Sequence, residues 1–93
     1  MEKKNTAVVT VVGNDTIGII ARVSAVLAHH DANILDISQT VLSGMFNMMM
    51  IVDITGAQER FGDLVEGIEK LGGEIGVRIK CQKEEIFTSM HRI

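Results

Sequence analysis

The chain has 93 residues, a mass of 10.2 kDa and a net charge of −3 at pH 7, and this length allows a single domain. Apolar residues make up 46% of the chain, which supports a small hydrophobic core and excludes a disordered protein. The chain has three Phe, no Trp and no Tyr, and its pI is near 5.5, so it lacks the basic patches and stacking rings of a nucleic-acid-binding protein.

Three features of the sequence predict where the protein works. No apolar run approaches the roughly 18 residues of a membrane span, and the first residues lack the apolar stretch and cleavage site of a signal peptide. The single cysteine, Cys81, cannot form an internal disulfide. We therefore expect a reduced, cytoplasmic protein that contacts neither a membrane nor nucleic acid.

The first predicted element is a strand over Thr6–Val12, a short segment rich in β-branched residues. The turn residues Gly13–Thr16 follow this strand. Within that turn, Asp15 or Thr16 can cap the helix that comes next, because a short polar side chain accepts hydrogen bonds from the first amides of a helix.

Apolar residues at helical spacing predict two helices. The first runs from Ile17 to about His30, and its predicted core face consists of Ile17, Ile20, Ala21, Ser24, Leu27 and Ala28. The second begins at Phe61 and has apolar residues at i, i+3, i+4, i+7 and i+10, the pattern of an amphipathic helix. The pair Gly72–Gly73 is typical of a helix end and predicts that the second helix ends there.

Three further segments predict strands. Ile34–Leu42 and Met45–Ile54 are joined by Ser43–Gly44, a connection so short that the two strands form a hairpin. In Ile75–Cys81 every second residue is apolar, which indicates a strand with one exposed face.

The resulting order, β-α-β-β-α-β, predicts an α+β fold of the ferredoxin-like type. Right-handed crossovers then give a four-stranded antiparallel sheet in the order 4-1-3-2, with both helices on one face. This domain occupies residues 1–83, and residues 84–93 form a short C-terminal tail. Many unrelated functions share this fold, so the fold alone does not decide the function.

The tail is predicted to cover the sheet face that the helices leave bare. Alternation along the first and third strands places apolar residues on this face, namely Val8, Val12, Met49 and Ile51. The tail has apolar residues at helical spacing, namely Ile86, Phe87, Met90 and Ile93. We expect the tail to pack on the bare face of its own subunit or of a partner subunit.

The charge distribution predicts a homodimer. No Lys or Arg lies between Arg22 and Arg60, so the second strand, one of the two sheet edges, has no basic residue. The other edge carries Arg78 and Lys80, which protect a strand against pairing with another chain. The first helix has a second apolar side, made of Ile19, Val23, Val26 and His30. We expect two copies to associate through the second strand, the first helix, or both.

Two segments of the chain resemble the ACT domain family. One is Val11–Val23, the passage from the first strand through its loop into the first helix, and the other is Ala32–Gln39, at the start of the second strand. The resemblance covers nearly the whole chain in the same element order. The closing residues Ile86–Ile93 look like the tail of small stand-alone bacterial ACT proteins, which are relatives of the glycine cleavage system repressor. The chain has Ile17–Gly18 where the family often has Pro-Gly.

This resemblance implies regulation rather than catalysis. ACT domains typically bind a small metabolite, often an amino acid, between the first loop of one subunit and the start of the second strand of its neighbour. The expected ligand-binding residues are those at the matching positions, namely Asn14, Asp15, Thr16, Ile17 and Gly18 from one chain and Asn33 and Ile34 from a neighbour. Free amides at a helix start attract a carboxylate, and an Asp side chain can accept from an ammonium group. No metal, cofactor or catalytic residue is expected.

Simpler interpretations remain open for several residues. Asp15 can serve as a helix cap alone, and Asn33 can hold a left-handed turn after the helix. His29 and His30 are neighbours on a helix and point about 100° apart, so we expect solvated side chains rather than a shared metal ion. Cys81 falls in the apolar alternation of the last strand and is expected to be buried.

Two other functions are considered. The first is a dimeric interaction module that binds no ligand. The second is a small acylphosphatase-like enzyme, in which Arg22 would hold the phosphate near the first loop. That loop lacks a glycine-rich phosphate cradle, and no nucleophile, base and acid can be assembled elsewhere in the chain.

Overall fold

The computed structural model describes residues 5–14 and 17–85, with Gln58 described by its backbone alone. The elements follow in the order β1 (Thr6–Asn14), α1 (Ile19–His29), β2 (Asn33–Leu42), β3 (Met45–Asp53), a short 3₁₀ helix (Thr55–Arg60), α2 (Phe61–Ile75) and β4 (Val77–Lys83). Among these residues, no helix is long and apolar enough to cross a membrane.

The four strands form one antiparallel sheet in the order β2-β3-β1-β4. This is the predicted order 4-1-3-2 read from the other edge, so the predicted ferredoxin-like fold is confirmed. The central strands are β1 and β3, and Val9 lies opposite Met50 on one side and Cys81 on the other. The two edges are β2 and β4.

The core lies between this sheet and the two helices. Alternate residues of β1 face the helices and are buried, namely Ala7, Val9 and Val11. Both helices contribute buried side chains to the same cluster, namely Ile19, Val23 and Leu27 from α1 and Leu64, Ile68 and Leu71 from α2. The prediction that both helices cover one face of the sheet is therefore correct.

The predicted faces of α1 are wrong. The side of Ile19 and Val23, expected to point outward, is buried in the core, whereas Ile17, expected in the core, is fully exposed and precedes the helix. The helix begins two residues later than predicted because Gly18 adopts φ +87°, a left-handed conformation that ends the loop. The outward side of α1 consists of small and polar residues, so this helix gives no support for a second apolar contact.

The capping prediction is also corrected. The N-cap of α1 is Gly18, and no side chain among the described residues forms a cap hydrogen bond there. Asp15 and Thr16 lie outside the described residues.

The predicted end of α2 at Gly72–Gly73 is wrong as well. The helix continues to Ile75 and ends at Gly76, which has φ +74° and donates its N–H to the carbonyl of Gly72. Gly72 has a packing role instead, because a Cβ atom there would lie 2.8 Å from the carbonyl oxygen of Val77. The absence of a side chain therefore lets α2 lie close against β4. The longer helix also moves the start of β4 from the predicted Ile75 to Val77.

The predicted hairpin between β2 and β3 is confirmed. Ser43 and Gly44 both have positive φ, at 53° and 79°, which is the geometry of the two-residue turn that matches the twist of the flanking strands. A bulge at Leu35 shifts the pairing of β2, so that Ile34 lies opposite Val52 and Asp36 lies opposite Ile51.

The two adjacent glycines of α2 provide a test of the close contact with β4. We expect Gly72→Ala to lower the free energy of unfolding by about 1–3 kcal/mol, because the new methyl group must displace the backbone of Val77. Gly73→Ala is the matched control: its Cβ meets nothing within 4 Å, so it should raise stability by about 0.5–1 kcal/mol through helix propensity. Urea unfolding measures both, and equal effects of the two substitutions would contradict the packing role of Gly72.

Candidate functional site

The first turn of α1 presents backbone amides that have no hydrogen-bond partner among the described residues. The first backbone hydrogen bond here joins the N–H of Arg22 to the carbonyl of Gly18, so the amides before Arg22 have no partner within the helix. The first turn contains no acidic residue, and no side chain in the described part of the chain caps it. This end of α1 therefore carries the positive end of the helix dipole without a neutralising group from the helix itself.

A groove of about 380 Å³ lies between this helix end and the β2–β3 hairpin. It is lined by Gly18, Ile19, Ile20, Ala21, Gln39, Thr40, Val41 and Phe46. Most of these residues are apolar, and the side chain of Gln39, on the helix side of β2, supplies a polar group. A groove of mixed polarity beside these amides is suited to a small molecule with one anionic end and one apolar end.

The residues predicted for ligand binding lie at two opposite ends of the sheet. Asn14 ends β1 and pairs with Met45, at the same end as Gly18 and the groove. Asn33 begins β2 and pairs with Asp53 at the other end. Nine steps along β2 separate these ends, a distance of about 30 Å.

The structure of one chain therefore does not bring the predicted residues together. The side chain of Ile17 is fully exposed, that of Asn33 is exposed, and that of Ile34 packs partly against the core.

A polar cluster surrounds Asn33. The left-handed residue after α1 is Asp31, with φ +61°, so the alternative that Asn33 holds this turn is wrong. The carboxylate of Asp31 pairs with the guanidinium of Arg60 at 2.9 Å, and the carboxylate of Asp53 accepts from the amide of Thr55, also at 2.9 Å. The exposed ion pair of Asp31 and Arg60 links the turn before β2 to the 3₁₀ helix.

The edge strand β2 is apolar and exposed. Its exposed large side chains are Leu35, Ile37, Val41 and Leu42, and Leu42 is 69% exposed. The helices cover this strand poorly, because the core of the fold is built on β1, β3 and β4. The strand therefore presents unpaired backbone groups beside apolar side chains, a combination that favours pairing with another strand.

Three other residues with reactive or charged side chains, namely Cys81, His30 and Arg22, contact or are buried against other parts of the fold. Burial raises the pKa of the Cys81 thiol to about 11, and the charge of Glu69 adds to this shift, so the thiol is protonated at neutral pH. His30 donates its Nδ1 hydrogen to the carbonyl of Val26. Arg22 lies 3.6 Å from Glu74 on α2. Within the described part of the chain, no cluster of His, Cys, Asp and Glu could hold a metal ion.

Sequence reasoning missed the groove residues on the hairpin. Phe46 has the same pattern as any core position of β3, so the sequence gives no signal for it. Gln39 carries a weak signal, because it is polar at a helix-facing position of β2 between Ile37 and Val41. Alternation alone does not show that this part of β2 extends beyond the helices.

Comparison with known proteins identifies the family. Residues 5–82 match the ACT domain. The chain is 62% identical over 89 residues to a UPF0237 protein of Bifidobacterium longum, which covers 96% of this chain and 99% of that protein. It is 51% identical over 86 residues to a UPF0237 protein of Methanocaldococcus jannaschii, covering 92% and 96% of the two chains.

Solved structures agree with this match. An ACT domain protein from Streptococcus pneumoniae has a TM-score of 0.78 and 40% identity, covering 91% of this chain and 96% of that one. A protein described as a transcriptional repressor of the glycine cleavage system has a TM-score of 0.72 at 19% identity, covering 88% of this chain and 47% of that one, and this likeness shows the fold alone. ACT domains are regulatory ligand-binding modules, often for amino acids. The resemblance found in the sequence is confirmed, and the chain belongs to the ACT domain family, among the small UPF0237 proteins.

Proposed function

We propose that this protein is a regulatory module that binds an amino acid or a similar metabolite at the boundary between two copies of the chain. One observation carries the proposal: the helix end with free amides and the residue Asn33 lie at opposite ends of the same exposed edge strand. A site made from both is therefore incomplete in one chain, and a second copy can supply the missing half.

Antiparallel pairing of two β2 edges completes this site. A two-fold axis through the middle of β2 places the hairpin end of one strand beside the first residues of the other. The groove at Gly18 of one chain then faces Asn33 and Ile34 of its partner. The same pairing satisfies the backbone groups of both edges and covers their exposed apolar side chains.

The charges and shape of the composite site suit a zwitterion. The carboxylate of an amino acid would bind the free amides at the start of α1. Its ammonium group would bind the carboxylate of Asp15, and the amide of Asn33 would supply a donor and an acceptor. The groove of about 380 Å³ has room for the side chain, with Gln39 and Phe46 along its wall.

One alternative has its own support. The exposed apolar edge is also what a dimeric interaction module needs, even if it binds no ligand. The acylphosphatase-like alternative has no such support: its phosphate-binding residue, Arg22, lies 3.6 Å from the carboxylate of Glu74 on α2. A place in the cytoplasm is part of this proposal, because the single cysteine of the chain cannot form an internal disulfide.

Edge pairing is tested by adding one positive charge to the sheet. Thr40 and Asn47 are direct cross-strand partners, and both are exposed on the face away from the helices. Thr40→Lys places the charge on the edge strand, where the two-fold axis of the dimer brings the two like charges together. The Kd of this variant for self-association should rise about tenfold or more. Asn47→Lys places the same charge on a central strand and should leave the Kd within about twofold.

Sedimentation equilibrium measures the self-association of both variants. A larger effect of Asn47→Lys would show that the sheets associate face to face, and a wild-type protein that stays at 10.2 kDa at micromolar concentration would exclude the dimer.

Ligand binding is tested at the far end of β2. A screen of amino acids up to millimolar concentration, followed by amide NMR shifts, should perturb residues at Gly18 and Asn33 together. Asn33→Ala should then weaken binding by about 1–3 kcal/mol, because a polar group of the bound ligand loses its partner. Asn47→Ala is the matched control, since it removes an exposed Asn side chain from the face of the sheet opposite the groove. Asp15→Ala should also weaken binding.

Two outcomes separate the functions. If no amino acid shifts these amides or the melting temperature, while Thr40→Lys still disrupts the dimer, the protein is an interaction module without a ligand. If Asn33→Ala and Asn47→Ala weaken binding equally, the site lies elsewhere on the chain.

A further inference from the structure

The sheet face opposite the helices is covered unevenly. Val8 and Val12 lie on this face of the same central strand, but Val8 is 2% exposed and Val12 is 41% exposed. The partners of Val8 across the sheet, Ile51 and Gln82, are half-buried, whereas Met49 is 41% exposed. We call the region of Thr6, Val8, Ile51 and Gln82 the lower half of the open face. Neighbouring strands shield only the sides of a valine, so something lies over the lower half.

The described end of the chain lies at this lower half. Lys83 is on the helix side of the sheet, with its Nζ 5.6 Å from the centre of the Phe61 ring. The next residue, Glu84, is on the open side and accepts a hydrogen bond from the hydroxyl of Thr6. Glu84 and Glu85 already have helical backbone. The chain therefore leaves β4 on the open side, next to Val8.

The remaining eight residues fit the surface in length and composition. Eight helical residues span about 12 Å, and β2 lies about 14 Å from β4 across the sheet. Four of them share one helical face, namely Ile86, Phe87, Met90 and Ile93. The segment ends with His91 and Arg92, and the far side of the lower half carries Asp36 and Asp53.

We propose that residues 86–93 bind the lower half of the open face of their own sheet, with Phe87 over Val8 and Ile51. The segment covers the sheet of its own chain because Glu84 already contacts Thr6 of that sheet. Only Glu85 lies between this contact and Ile86, the first apolar residue of the segment. The tail thus acts as a third apolar layer of the domain. The region around Val12 and Met49 stays outside this contact.

A double-mutant cycle tests the contact. Phe87→Ser should lower the equilibrium constant for folding about tenfold or more, because it removes a buried ring. Thr88→Ala, on the opposite side of the tail, should change it less than about twofold. In a Val8→Thr background the loss from Phe87→Ser should shrink about threefold, whereas in a Val12→Thr background it should stay unchanged. Urea unfolding followed by far-UV circular dichroism measures all variants, since the chain has no Trp or Tyr. Equal coupling of Phe87 to both valines, or none, overturns the proposal.

Disulfide cross-linking identifies which sheet the tail covers. Ile51→Cys and Met90→Cys, combined in one chain and oxidised, should give a cross-link within the chain. An equimolar mixture of the two single variants should give no band at twice the mass. The native chain is the blank, because Cys81 is buried and protonated. A cross-link only between chains would show that the tail covers the partner's sheet and would overturn the assignment to its own. Neither outcome depends on a ligand.

Discussion

The helices of this protein cover one face of a four-stranded sheet and leave one of its edges bare, and the rest of the structure depends on this one-sided coverage. The strands β1 and β3 are apolar on both faces, so the face away from the helices still carries Val8, Val12 and Met49. The strand β2 lies at the margin of the helix layer and keeps exposed apolar side chains. A domain of this kind has incomplete burial, and both proposed contacts, a second copy at the edge and the tail on the face, reduce the exposed apolar area.

Left-handed backbone positions fix where the candidate site can form. Gly18 starts α1, Ser43 and Gly44 turn β2 into β3, and Gly76 ends α2. Because Gly18 and the hairpin lie at the same end of the sheet, the free amides of α1 open onto the groove beside β2. At the other end, Asp31 and Arg60 link the turn before β2 to the 3₁₀ helix. The two halves of the proposed site thus lie at opposite ends of β2, about 30 Å apart, and this separation makes a two-chain site the simplest arrangement.

Most of the architecture follows from local sequence patterns. The predictions are wrong where contact with a neighbouring helix or strand decides which side chains are buried. The hairpin was predictable because a connection of only two residues between strands forms a tight hairpin turn. The core face of α1 was not, because apolar residues surround most of this helix and only its contact with α2 and the sheet selects Ile19, Val23 and Leu27. Glycine commonly ends a helix, but Gly72 lies inside α2. Its role there is to let β4 approach too closely for any side chain.

The sequence by itself determined the element order, the sheet topology, the apolar unguarded second strand and the family, because these depend on periodicity, turn chemistry and charge along a single chain. Only the tertiary structure decided which groups meet. It placed Gln39 and Phe46 in one groove with the first turn of α1, set Asn33 at the opposite end of the sheet, and shifted the face of Ile34 through the bulge at Leu35. These outcomes depend on strand register and on helix rotation. Both are set by the packing of elements distant in sequence, and a one-residue change in register moves every side chain of a strand to the other face.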